Sequence, residues 1–284
     1  MMYEDDKIIV KESNIDKYGK GLYAKKDFNI GDIILVEEPF YILNEKNIED
    51  ENIKKKIFEL KNSVENDNKT LDIIKIINII KTNSISLDGN GSGLFTIISR
   101  INHSCISNAR YFWNSIENKE YIIAVRDIKK DEEITVSYGE TILMSYDERK
   151  QYLFNRWKFN CECLICKDNE IDLIKKKLKK LDDMISSLSL QNKFEIAFNC
   201  AEKMLELIKN TLLEEDLLFK NKIYYDMYQL LMYRMNVSKA NTYLEKYLSL
   251  IEIIEKKNSQ NYIKKKRYIK NSKLFMMDKL SINK

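Results

Sequence analysis

The stretch CECLIC, residues 161–166, sets Cys161, Cys163 and Cys166 in a C-x-C-x2-C array. Core packing does not explain it, because a buried free cysteine gains nothing from two neighbouring thiols. Three thiolates on one tight loop suit a tetrahedral zinc ion, which needs a fourth soft or borderline ligand from elsewhere. The chain offers His103, Cys105 and Cys200 for that place. Cys200 falls among Ala197, Phe198, Ala201 and Met204 on a helical pattern, where it reads as a small core residue. The ligand is therefore expected from INHSCISN, residues 101–108, which also holds the only histidine of the chain.

Other chemistry has weaker support. No serine, cysteine or aspartate arrangement around His103 makes a triad with hydrolase spacing, and a lone histidine is more often a hydrogen-bonded structural group. The glycines of YGKGL, residues 18–22, could cradle a ligand. They form neither a Walker motif nor a dinucleotide fingerprint.

These groups need elements to hold them. Runs rich in β-branched residues, KIIVKE and DIILVEE, predict strands near the start, separated by turn-like YGKG and NIGD. Further strands are predicted at ARYFW, EYIIAVRD and EEITVSY, with turns at IENK and IKKDE. Between the two sets, residues 47–82 carry Ile53, Ile57, Phe58 and Leu60, then Leu71, Ile74, Ile77 and Ile80, at helical spacing around the polar SVENDNKT. That pattern predicts a helical insertion. After Gly139 the chain reads as helix, first from about Ser145 to Arg156, then at roughly 170–189, 193–210, 214–235, 239–257 and 260–279. Short polar connections favour a bundle or a solenoid.

Composition narrows the class. A content of 44% hydrophobic residues with 48 Lys+Arg against 44 Asp+Glu predicts a globular chain whose charges nearly cancel, which argues against direct nucleic-acid binding. The N-terminal MMYEDDKIIVKES lacks a signal-peptide pattern, and LDIIKIINII is too short and too interrupted to span a membrane. Clustered thiols fit a reducing compartment, so nucleus or cytoplasm is expected, not secretion and not a membrane. The lysine-rich KKKR at 264–267 has the composition of a localisation signal, but within a lysine-rich helix it reads better as a solvated face.

Taken together, YGKGLYA (18–24), GSGLFTIISRINHSC (91–105), EEITVSYGE (132–140) and DERKQYLFNRWKFNCECLIC (147–166) resemble the SET-domain protein lysine methyltransferases. The spacing and the C-x-C-x2-C ending are most similar to the SMYD subfamily, over roughly residues 7–168. The resemblance implies an α+β chain: a SET-domain β fold of small sheets with a pseudoknot-like active site. Residues 1–144 would form it with the insertion, 145–168 a post-SET zinc cap, and 169–284 an all-α C-terminal domain.

It also implies S-adenosylmethionine as cofactor and one structural Zn2+ per chain, held by Cys105, Cys161, Cys163 and Cys166. Asn102 would hold the methionine end of the cofactor, with Lys20, Gly21 and Asn83 contacting it. The backbone around Ser99 and His103 would read the adenine and sulfonium side, and Phe159 would stack on the adenine. By the same resemblance Tyr138 would be the catalytic tyrosine, orienting the amine or the methyl group, and would also contribute to the cofactor pocket. Trp157 and Phe95 are weaker candidates for channel walls. The partner would be a histone or non-histone protein bearing the target lysine, and a monomer is expected. The family's NHSCxPN proline is Ser107 here, and residues 40–90 contain no cysteine or histidine, which speaks against a MYND zinc finger in the SET insertion. A non-catalytic SET-fold interaction module with a vestigial cofactor site is the alternative reading. A zinc-dependent nucleic-acid binder is a third, disfavoured by the small net charge.

Overall fold

A computed structural model describes residues 3–13, 19–43, 50–60, 72–87 and 91–282. Tyr18 and the polar SVENDNKT lie outside them. The first part of the chain runs β1 (Ile8–Glu12), β2 (Lys20–Ala24), β3 (Ile33–Glu37), β4 (Tyr41–Ile42), α1 (Glu51–Phe58), α2 (Asp72–Asn83), β5 (Ile85–Ser86) and β6 (Ser92–Leu94). A 3-10 turn at Ile98–Arg100 leads into β7 (Asn102–His103), β8 (Ala109–Asn114), β9 (Lys119–Ala124), β10 (Glu133–Val136) and α3 (Tyr146–Trp157). The helices α4 (Leu164–Lys167), α5 (Asn169–Leu190), α6 (Phe194–Ile208), α7 (Leu217–Tyr233), α8 (Val237–Ile254), α9 (Gln260–Lys270) and α10 (Lys273–Ile282) complete it.

The chain divides into two compact units: residues 1–141 with 146–167, and residues 142–145 with 168–284. In the first, the strands make three small sheets, ordered β1-β2-β10-β7, β3-β9-β8 and β4-β6-β5. Alternation explains the core: Ile8 and Val10 of β1 are fully buried while Ile9 and Lys11 are half-exposed. They meet Leu22, Ile134 and Val136 from the same sheet and Ile122, Ala124 and Ala109 from the second. Most pairings are antiparallel, but β7 and β10 run parallel, with Thr135 opposite Asn102 and Val136 opposite His103. That register brings the histidine strand beside the segment leading to Tyr138.

The turn-like YGKG departs from expectation, because Lys20 and Gly21 lie inside strand β2, paired with Glu12 and Lys11 of β1. Helix α1 lies inside the predicted insertion, and α2 runs one residue past its expected end, to Asn83. Asp50 starts α1 by accepting the amides of Asn52 and Ile53.

In the second unit each long helix packs on its neighbour in sequence, α5 on α6, α6 on α7, α7 on α8 and α8 on α9. Side-chain caps set the starts: Asp168 for α5, Asp216 for α7, Asn236 for α8 and Ser259 for α9. Asp216 also shortens the helix expected from 214, since a separate 3-10 turn at Leu212–Glu215 precedes it. The helix expected over 260–279 is two helices. Asn271 takes an extended conformation and its Oδ1 accepts the Lys273 amide, ending α9 and starting α10. Lys175, wholly buried in α5, donates to the Ile142 carbonyl at 2.9 Å, which ties residues 142–145 to this unit. Among the described residues no helix is long and apolar enough to cross a membrane.

Candidate active site and cysteine centre

Asn102 stands at the edge of the first sheet with its amide nitrogen engaged by three acceptors. Nδ2 donates to Glu133 Oε1 at 2.7 Å, Ser13 Oγ at 3.0 Å and the Lys20 carbonyl at 3.1 Å. The Glu133 carboxylate gathers more donors, accepting Ser13 Oγ at 2.8 Å and Tyr23 OH at 2.8 Å. All of this crosses directly over Gly21. A Cβ there would overlap Glu133 Oε1, stand 2.8 Å from its Cδ and 3.0 Å from Asn102 Nδ2. The glycine is required by close approach of side chains to the backbone. The Lys20 side chain itself is exposed.

Asn83 closes α2 as a buried residue whose Nδ2 donates to Ile79 O at 2.7 Å, one turn back in its own helix. Its carbonyl accepts Ser99 Oγ at 3.0 Å, and Ser99 Oγ accepts the Phe95 amide at 3.2 Å. The next carbonyl back, Thr82 O, accepts Trp157 Nε1 at 3.0 Å. The end of the insertion is thus bonded both to the turn before Asn102 and to the helix before the cysteine array. That turn is held from the other side by Glu37, whose carboxylate accepts the amides of Thr96 (2.7 Å), Ile97 (3.1 Å) and Ile98 (2.9 Å). Burial pushes the Glu37 carboxyl above its ordinary value, against the lowering effect of those three donors.

Tyr138 follows β10 by two residues. Its hydroxyl donates to Ile101 O at 2.6 Å, and its ring lies 5.0 Å from Trp157, 5.3 Å from His103 and 6.2 Å edge-on from Phe159. Gly139, at φ 106°, turns the chain after it, and the Tyr152 hydroxyl occupies the place a Cβ would take. Phe159 reaches His103 at 6.0 Å. Phe95, a channel candidate in the sequence, is fully buried in the core. Trp157 joins the aromatic group around Tyr138.

The sulfurs of Cys105, Cys161, Cys163 and Cys166 all lie within 4.8 Å of one another. Cys105 is 3.9 Å from Cys161 and 3.6 Å from Cys166. A tetrahedron with zinc–sulfur arms of about 2.3 Å has edges of about 3.8 Å, so the spacing and the all-thiol donor set fit such an ion. Cys200 is elsewhere, on the buried face of α6 with Ala197, Ala201 and Met204. Without a cation the thiols oppose one another. Hydrogen bonding with Cys161 first, then with Cys163 and Cys166, drives Cys105 up, while the Cys105 hydrogen bond drives Cys163 down and draws Cys166 to about 7. Two nitrogen donors stand beside the sulfurs: His103 Nε2, 3.2 Å from Cys105 Sγ, and Nη2 of the wholly buried Arg149, 3.8 Å from Cys166 Sγ.

The loop between Cys105 and β8 is secured without the proline. Ser104 Oγ donates to Ile106 O at 2.9 Å, and Asn108 Oδ1 accepts the Thr135 amide at 2.7 Å while its Nδ2 donates to Glu133 O at 2.9 Å. Asn108, Glu133, Glu37 and Arg149 were not singled out from sequence. Glu133, Asn108 and Arg149 stand inside quoted motifs and Glu37 inside a predicted strand, and a charged residue beside an apolar strand run was a usable signal for the first. Glu37 and Arg149 carried none, because their partners are about 60 and 17 residues away.

Comparison with known proteins agrees with this arrangement. Residues 19–139 match the SET domain family. The chain is 26% identical over 199 residues to histone-lysine N-methyltransferase set5 of Schizosaccharomyces pombe, covering 67% of this chain and 60% of that protein. It is 32% identical over 106 residues to human histone-lysine N-methyltransferase SMYD3, covering 33% of this chain and 24% of the relative. It is 30% identical over 116 residues to N-lysine methyltransferase SMYD2-B of Danio rerio, covering 41% of this chain and 26% of that protein. The matches span from about a quarter to 60% of the length of these relatives. Residues 19–139, with their small sheets and the parallel β7–β10 pairing, thus match the SET domain family, and parts of the chain are similar to the set5 and SMYD-type proteins.

Proposed function

We propose that the chain is an S-adenosylmethionine-dependent protein-lysine N-methyltransferase whose partner is a histone or non-histone protein. The observation that carries this reading is the placement of Tyr138, its phenol proton given to Ile101 O and its ring among Trp157, His103 and Phe159. A phenol so committed serves as a hydrogen-bond acceptor and not as a general base. An acceptor is what a lysine amine needs for alignment. Free lysine, with a pKa of about 10.4, is almost wholly protonated at pH 7, and an aromatic enclosure that strips water lowers that value. The residues therefore supply orientation and exclusion of water.

When bound, S-adenosylmethionine supplies a methyl group on a sulfonium, open to in-line displacement by a neutral amine. The polar set of Asn102, Lys20 and Gly21, backed by Glu133, suits the charged amino-acid end of that molecule. Phe159, 6.0 Å from the His103 ring, offers an aromatic face for a purine, and Ser99 and Asn83, bonded to one another, would complete the pocket. Cys105, Cys161, Cys163 and Cys166 would hold a structural zinc ion, which fixes the Phe159 segment to the Asn102–His103 strand and takes no part in transfer.

The test compares wild type with Tyr138→Phe, using labelled S-adenosylmethionine with core histones and a cell lysate, and calorimetry for cofactor binding. Wild type labels lysine. The variant keeps the ring and with it most of the cofactor affinity, and loses transfer by about 10- to 100-fold, the worth of one hydrogen bond to an amine that gains positive charge in the transition state. Cofactor binding with no transfer to any of these proteins refutes the reading and leaves a SET-fold interaction module.

A further inference from the structure

His103 is 2% exposed and stands between two parts of the site. Its Nδ1 accepts the Tyr138 amide at 3.0 Å. A neutral imidazole whose Nδ1 accepts must carry its proton on Nε2. That nitrogen is 3.2 Å from Cys105 Sγ, so the contact is an N–H donor on sulfur. The ring plane is set by tilted contacts with Tyr138 and Phe159. The backbone frame is set as well, because β7 runs parallel to β10 with His103 opposite Val136, two residues before Tyr138.

We propose that His103 is a positioning residue that joins the cysteine centre to the active-site tyrosine, donating Nε2–H to the Cys105 sulfur and holding the Tyr138 amide on Nδ1. This rests on reading the four cysteines as a zinc site. A divalent cation on four thiolates leaves a doubly negative cluster, which outer donors stabilise; His103 provides one at Cys105 and Arg149 another at Cys166. A metal that fixes the Cys105 sulfur then fixes the imidazole, and the imidazole fixes the backbone from which Tyr138 projects. Loading of the structural centre is thereby read out at the tyrosine.

The experiment measures Zn2+ affinity of the full chain against a chromophoric chelator for wild type, His103→Phe and His103→Gln. It also follows the Tyr138 amide resonance in 15N-tyrosine-labelled protein at saturating zinc. Removing an outer-shell donor should weaken zinc by about 10- to 100-fold in His103→Phe, with His103→Gln, which retains an N–H donor, recovering most of the loss. The Tyr138 amide proton should move upfield in His103→Phe as its imidazole acceptor disappears. Zinc affinity in His103→Phe equal to wild type, equal losses in both variants, or an unmoved Tyr138 resonance each overturn the coupling while the zinc reading stands. A wild-type chain that takes up no zinc overturns both.

Discussion

Replacing Gly21 by alanine tests the close approach over β2. The added Cβ meets the Glu133 carboxylate and crowds Asn102 Nδ2 at 3.0 Å. Gly21 is buried and paired with Lys11, so its backbone has little room to retreat, and the carboxylate must move. Its Oε1 is the atom that accepts Asn102 Nδ2 at 2.7 Å and Ser13 Oγ at 2.8 Å. Losing one hydrogen bond to a charged group costs about 1.5–3 kcal/mol, and overpacking adds about 1–3 kcal/mol. The lower backbone entropy of unfolded alanine returns about 0.5–1 kcal/mol. The net expectation is a destabilisation of about 2–5 kcal/mol. Urea unfolding followed by tryptophan fluorescence reads it, because Trp113 and Trp157 both lie in the unit that contains Gly21. A double-mutant cycle sharpens the test. Glu133→Ala removes the clashing group, so adding Gly21→Ala to it should cost about 1–3 kcal/mol less than in wild type. A Gly21→Ala midpoint within about 0.5 kcal/mol of wild type, or strict additivity with Glu133→Ala, would refute the close-approach argument.

Two further outcomes are expected. Elemental analysis should find about one zinc per wild-type chain, the same content in Cys200→Ser, and less in Cys105→Ser, since only Cys105 lies with the array. Full zinc in Cys105→Ser with loss in His103→Ala would place the fourth ligand wrongly. The second concerns acid stability. Burial pushes the Glu132 carboxyl up, but the Arg126 guanidinium at 2.6 Å, the Lys129 amide and the Asn108 amide together hold it below its ordinary value. A depressed carboxylate contributes stability above its unfolded pKa of about 4.3 and loses it as pH falls through the folded value. Glu132→Gln should therefore flatten the stability profile below about pH 4.3 and lower the plateau above it. A profile parallel to wild type through that window would remove Glu132 from the acid response.

The donor types were legible in the sequence, because C-x-C-x2-C fixes three thiols within one loop whatever the rest of the fold does. Strands such as KIIVKE and EEITVSY were legible through β-branched alternation, and the C-terminal helices through apolar periodicity, except where a side chain broke the period. Asn271 and Asp216 did so by bonding backbone groups locally, which hydropathy does not register. YGKG read as a turn because glycine suggests bending; in the fold Gly21 is in a strand, chosen for the missing side chain.

What the sequence by itself determined is the inventory: five cysteines, three of them in one array, an asparagine–histidine pair, a tyrosine after a strand and the elements that carry them. Only the tertiary structure decided which groups face one another. Glu37 caps a turn about 60 residues away, Glu133 gathers Ser13, Tyr23 and Asn102, and His103 touches both Tyr138 and Cys105. Local periodicity sets which side of a strand or helix a residue occupies, but the register of β7 against β10 and of β2 against β1 sets its partners. Hydrogen bonds act over about 3 Å, so their assignment waits on that register.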